Sequence, residues 1–179
     1  LLAKAGFSVA AATGKASEFE KADWDIKSTY YSRDGRFRVT VVNEDGSDVV
    51  RVVEVKDGQE KPFAMPKLPG GMIIGLTFSK SGTKMAIRLN GDRAPSNLFS
   101  YDFKTRKLTQ LTQSLSKDVD AKDLVEAEVV RFKSFDGMVI PSILYKPHGA
   151  SSTNKLPAVI DVHGGPGGRR GPDVHTDRV

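Results

Sequence analysis

The chain has 179 residues, 39% hydrophobic and 27% charged, a balance that suits an ordinary globular protein and excludes disordered and fibrous classes. It has no cysteine, which excludes disulfides, thiolate catalysis and thiolate metal sites and leaves the compartment open between cytoplasm and periplasm. The net charge of +5 is spread among 22 carboxylates, with Arg169-Arg170 as the sole adjacent arginine pair, so a solvated basic surface is expected rather than a nucleic-acid stripe.

At the start, "LLAKAGFSVAAA" lacks a basic leader and is interrupted by Lys4, which makes it a poor signal peptide. No apolar stretch reaches the ~20 residues that a membrane helix needs, and no membrane partner is expected. Ser8 has a superficial Gly-x-Ser spacing but no second glycine and no helical pattern after it, so it is read as a strand residue. A start at Leu1 and an end at Val179 in mid-pattern predict an excerpt of a longer chain.

Residues 1–112 read as short strands between turn residues. The expected strands are Phe37–Val42, Val49–Val55, Ile73–Phe78, Lys84–Leu89 and Leu98–Phe103, each rich in Val, Ile, Phe or Tyr. Asp34-Gly35, Asp45-Gly46 and Asp57-Gly58 supply turns in which glycine takes the positive φ that other residues resist. No helix longer than two turns is expected here.

A repeat organises this half. "YSRDGRFRVTVV" from Tyr31 matches "FSKSGTKMAIRL" from Phe78 at an offset of 47 residues. Further on, "RVVEVKDGQ" matches "FSYDFKTRK", again a strand followed by a lysine-bearing turn. One unit of turn, strand, loop and strand has the length of a four-stranded propeller blade, which buries its faces only against neighbouring blades.

Residues 113–124 carry charges and serines without a strand pattern and read as a linker. Beyond it, "VVRFKSFDGMVIPSILYKP" predicts a hairpin turning at Asp136-Gly137, and "LPAVIDV" predicts a short buried strand of a parallel or mixed sheet. Asp161 is a polar residue inside that apolar run and needs a partner if buried. The run ends in His163-Gly164-Gly165-Pro166, where the absence of Cβ atoms lets backbone amides approach a bound oxygen. Acyl transfer needs such amides, because a prearranged donor stabilises the tetrahedral oxyanion by about 3–4 kcal/mol. The same glycines also suit a plain tight turn, and His163 alone is better suited to orienting the loop than to catalysis. A metal site of His148, His163 and His175 has neither helical nor hairpin spacing, and no metal or cofactor is expected.

"VRFKSFDGMVIPSILYKP…LPAVIDVHGGP" resembles the propeller-to-hydrolase junction of the prolyl oligopeptidase family of serine peptidases, nearest its dipeptidyl aminopeptidase and acylaminoacyl peptidase branch. "FSKSGTKMAIRL…LFSYDFKTRKLTQLT" is similar to the last blade of such propellers. The resemblance runs from about Tyr30 to the end and says little of residues 1–29; with the strand pattern it implies the C-terminal part of a β-propeller over 1–112, a linker over 113–124 and the truncated start of an α/β-hydrolase domain over 125–179. It implies Gly165 as the first oxyanion-hole donor and Gly164 as the second candidate, with His163 and Pro166 shaping the loop. Small peptides are the implied substrates. The family's Ser nucleophile, Asp and His have no matching motif in this sequence, so the 179 residues alone are expected to be inert. A carboxylesterase and a non-catalytic propeller scaffold stay open as alternatives. Glu18 and Glu20 are too weakly placed to be assigned to amine recognition.

Overall fold

The structure, a computed structural model, describes residues 3–9, 12–44 and 47–162. Among these residues eleven strands run in the order β1 (Ala3–Val9), β2 (Ala16–Tyr31), β3 (Phe37–Glu44), β4 (Ser47–Lys56), β5 (Gln59–Pro62), β6 (Met72–Phe78), β7 (Lys84–Gly91), β8 (Ala94–Asp102), β9 (Lys107–Gln110), β10 (Ala127–Lys133) and β11 (Val139–Tyr145). They form three antiparallel sheets, ordered β1-β2-β3-β4-β5, β6-β7-β8-β9 and β10-β11. No helix occurs among the described residues.

All five expected strands are present as β3, β4, β6, β7 and β8, and Ser8 lies in β1 opposite Ser17. Three strands, β2, β5 and β9, were not foreseen. β5 and β9 are four polar or mixed residues each and carry little hydrophobic signal. β2 is 16 residues long and heavily charged, and it pairs with β1 through Ala16–Ile26 and with β3 through Asp25–Tyr31. One strand thus serves two partners in succession, with a register shift between Ile26 and Ser28.

The 47-residue repeat is visible as repeated hydrogen bonds. The Ser32 N–H donates to the Phe37 carbonyl at 2.8 Å, and the Ser79 N–H to the Lys84 carbonyl at 2.9 Å. Each serine Oγ also accepts from the same partner's amide, Phe37 at 2.9 Å and Lys84 at 3.0 Å. Gly35 and Gly82 close these turns with φ of 71° and 66°, values that cost an L side chain about 1–2 kcal/mol. A shorter turn at the tip of the β10–β11 hairpin is related: the Ser134 N–H donates to the Met138 carbonyl at 2.8 Å, and the N–H of Gly137, at φ 84°, donates back to the Ser134 carbonyl. Asp57 and Gly58, at φ 51° and 74°, form the tight turn that closes β4 on β5. Asp45-Gly46 lies outside the described residues.

The first two sheets pack face to face through alternate residues. Phe37, Val39 and Val52 meet Leu76, Met85, Ile87, Leu89, Phe99 and Tyr101 in one buried cluster, as the two-residue period of a strand requires. Phe37 is its centre, with its ring stacked on Phe78 and Phe103, each at 4.9 Å between centroids, and edge-on to Phe63 at 5.3 Å. Tyr30 crosses the same interface, its hydroxyl donating to the Leu76 carbonyl at 2.7 Å, and burial pushes its phenol pKa up.

The opposite face of β3 is buried too, but by polar groups. Arg38 is 3% exposed and donates two parallel bonds to the Glu60 carboxylate from Nε and Nη2. Its Nη1 donates to Glu20, and Thr40 donates to the same Glu20 oxygen at 2.6 Å. The guanidinium also lies 4.6 Å from the Phe19 ring centroid. Residues of β2 therefore fold back over β3 and satisfy groups that would otherwise be costly to bury.

One expectation is corrected. Leu156–Val162 was expected to be a buried strand; it forms no regular element, and Val159, Ile160 and Val162 are 92%, 87% and 86% exposed. A strand buried on both faces needs neighbouring strands and covering helices, and none stands beside this run among the described residues. Residues 125–162 accordingly show the β10–β11 hairpin but no βα unit.

Candidate functional site

The four residues expected to form the site, His163, Gly164, Gly165 and Pro166, lie outside the described residues. The structure describes the elements that lead to them. The hairpin β10–β11 is in strict register, from Ala127 opposite Tyr145 at its open end to Lys133 opposite Val139. Its tip is closed by the Asp136 carboxylate, whose Oδ1 accepts from the Met138 amide at 3.0 Å. Phe135 at that tip is completely exposed.

After β11 the chain makes a compact turn over Pro147–Asn154. The Ala150 amide donates to the Pro147 carbonyl at 3.1 Å, and Asn154 Nδ2 donates to the Gly149 carbonyl at 3.0 Å. Gly149, at φ 78°, occupies the position that needs the left-handed conformation. From here Leu156–Val162 runs exposed toward the glycines, and Asp161 is itself exposed.

The open end of the hairpin is tied to the preceding sheet. The two-residue turn between β7 and β8, Asp92-Arg93, reaches across to it. Asp92 Oδ2 accepts from the Ala127 amide at 2.9 Å, and its Oδ1 accepts from the Tyr145 hydroxyl at 3.1 Å. Arg93 donates from Nε and Nη2 to the Ala121 carbonyl at 3.1 and 3.0 Å. His148 Nε2 lies 2.9 Å from the Lys122 carbonyl, a contact in which the ring donates. Sequence reading missed this junction; its only sequence trace is a charged dipeptide in a hairpin turn, which most often just faces water.

Other candidates resolve into structure. Glu20 is committed to Arg38 and Arg51 and is not free to receive a substrate amine. Among the described residues no cluster of His, Asp or Glu is arranged to hold a metal. An open cleft of about 420 Å³ at the β4–β5 turn is lined by Glu54, Lys56, Asp57, Gln59 and Lys61, a mixed-charge surface without a nucleophile or a histidine.

No protein-family model matches the sequence, and no curated protein does. The fold, however, is similar to solved structures of prolyl oligopeptidase family members. A prolyl endopeptidase superposes with TM-score 0.65 at 18% identity, over 81% of this chain and 21% of that one. A puromycin hydrolase gives 0.58 at 19% identity, over 79% and 22%. A post-proline cleaving enzyme from Rickettsia typhi gives 0.59 at 18% identity, over 78% and 20%. The chain spans about a fifth of the length of these proteins. Its antiparallel all-β architecture matches their propeller domain.

Proposed function

We propose that this chain is part of a serine peptidase of the prolyl oligopeptidase type that hydrolyses short peptides through an acyl-enzyme. The observation that carries this reading is the fold match to a prolyl endopeptidase over 81% of the chain. The sequence supports it separately through the order of its parts: blade repeat, linker, hairpin, apolar run, then His-Gly-Gly-Pro. In this reading residues 1–112 are propeller, 113–124 a linker and 125–179 the beginning of an α/β-hydrolase. The strand-free stretch between β9 and β10, largely exposed, supports that division. The junction motif favours the dipeptidyl aminopeptidase and acylaminoacyl peptidase branch.

The chemistry assigned to this chain is electrostatic. The Gly165 amide, with Gly164 beside it, receives the oxyanion of the tetrahedral intermediate, while His163 and Pro166 hold the loop. A completed sheet would bury Val159, Ile160 and Val162 and fix the strand that carries those amides. The nucleophile and its base come from outside these residues, so the 179-residue chain has no covalent route of its own.

The test is Gly165→Val in the complete protein, assayed on peptide amides and on activated esters. Crowding the carbonyl and turning the amide away should lower kcat by about a hundredfold or more. Binding of a ground-state analogue should change far less, because the charge develops only in the transition state. Full activity in a well-folded Gly165→Val enzyme removes the loop from the mechanism. A wild-type protein that cleaves esters and leaves peptide amides intact overturns the peptidase reading in favour of a carboxylesterase.

A further inference from the structure

The Asp92-Arg93 turn does more than join two strands. A hairpin turn of this length needs only backbone bonds, supplied here by the pairing of Gly91 with Ala94. Yet both bonds of the half-buried Asp92 carboxylate leave its own sheet, and so do both bonds of Arg93. Asp92 grips β10 and β11 together, because Ala127 and Tyr145 are the facing pair at the open end of the hairpin. Arg93 holds the linker at Ala121, and His148 returns to that linker at Lys122. These bonds are charge-assisted on the Asp92 and Arg93 side, the stronger class of protein hydrogen bond.

The turn itself is anchored in its own sheet. Gly71, at φ 86°, lies so close to the end of β7 that a Cβ on it would stand 2.7 Å from the Asn90 carbonyl oxygen. A Cβ on Gly91 would stand 3.2 Å from the Gly71 Cα. The absence of Cβ atoms at the two glycines lets the end of β7 lie tightly against the chain entering β6, beside the turn that carries Asp92. At its other end the hairpin carries the fully exposed Phe135.

We propose that Asp92 and Arg93 form a clasp that sets the orientation of the hairpin and linker on the preceding blade, and whose release lets the hairpin swing while the blade stays intact. The inference rests on this geometry alone and holds whatever reaction the complete protein performs. Asp92 and Arg93 act here as positioning residues.

Amide hydrogen exchange on the complete protein tests it. Asp92→Ala should accelerate exchange across β10 and β11, Ala127 included, by about tenfold, since a hydrogen bond to a charged group is lost from each strand. Exchange in β7 and β8 should stay within about twofold of wild type, because no bond within that sheet is removed. Asp92→Asn, which retains one acceptor, should fall between the two. Unchanged exchange in the hairpin overturns the proposal, and so does an equal acceleration in β7 and β8, which would make Asp92 merely a support of its own blade. If Asp92→Ala does not fold, Tyr145→Phe decides, since it removes one bond at the hairpin's surface; no acceleration of β11 in that variant likewise overturns the clasp.

Discussion

Replacing Phe37 by alanine should uncouple the two blade sheets more than any other single truncation. The ring is fully buried, and its neighbours come from both sides of the interface: Phe63 follows β5, whereas Phe78 and Phe103 belong to the second blade. The Arg36 guanidinium covers the cluster, 4.8 Å from the Phe37 centroid and 5.4 Å from that of Phe103. Truncating a buried phenylalanine costs about 3–5 kcal/mol in lost transfer energy and residual cavity. A domain of this size has only about 5–15 kcal/mol in total, so the variant should be barely stable. With a urea slope near 2 kcal/mol/M, the unfolding midpoint should fall by about 2 M. Equilibrium unfolding followed by far-ultraviolet circular dichroism and by the fluorescence of Trp24, the single tryptophan, measures this. Trp24 lies in β2 and reports the first sheet, so it also shows whether the sheets separate. A Phe37→Ala, Phe78→Ala cycle should return a coupling of about 0.5–1.5 kcal/mol for the stacked pair. A midpoint shift below about 0.5 M with an unchanged slope would refute the placing of Phe37 at the centre of the interface.

Two further outcomes follow from the turns and from the buried arginine. Gly35→Ala and Gly82→Ala both force alanine into the left-handed region at about 1–2 kcal/mol, and a Cβ at Gly82 meets only the end of the exposed Asp34 side chain, which can turn aside, so the two thermal shifts should be similar; no loss of stability in either variant would contradict the left-handed turns. Hydrogen bonds from Arg38 hold the Glu60 carboxyl below the ordinary glutamate range. A depressed folded pKa stabilises the fold above the unfolded value and loses that contribution as pH falls through the folded one, so acid unfolding of wild type should steepen below about pH 4.3. Glu60→Gln should flatten this limb in a stability-against-pH titration, and an unaltered profile would mean the pair is not formed in solution.

What the sequence determined by itself is local. Alternation placed Phe37, Val39, Met85, Ile87 and Leu89 on one face, because successive strand residues point to opposite sides whatever surrounds them. Glycine at 35, 82 and 137 marked the turns, since the backbone there needs a conformation that costs other residues energy. The 47-residue offset announced two copies of one sheet before any contact was known. Tertiary structure decided the rest. That Arg38 is buried rather than solvated depends on Glu20 and Glu60, which lie 18 and 22 residues away and meet it only after β2 folds back and β5 pairs. That Leu156–Val162 stands exposed, though its apolar run reads as a core strand, depends on whether neighbours are there to bury it, and hydrophobicity states only the demand for burial. That Asp92 grips a hairpin whose strands begin 35 residues later and end 53 residues later was illegible for the same reason: a carboxylate in a turn has no preferred partner until the chain brings one within 3 Å.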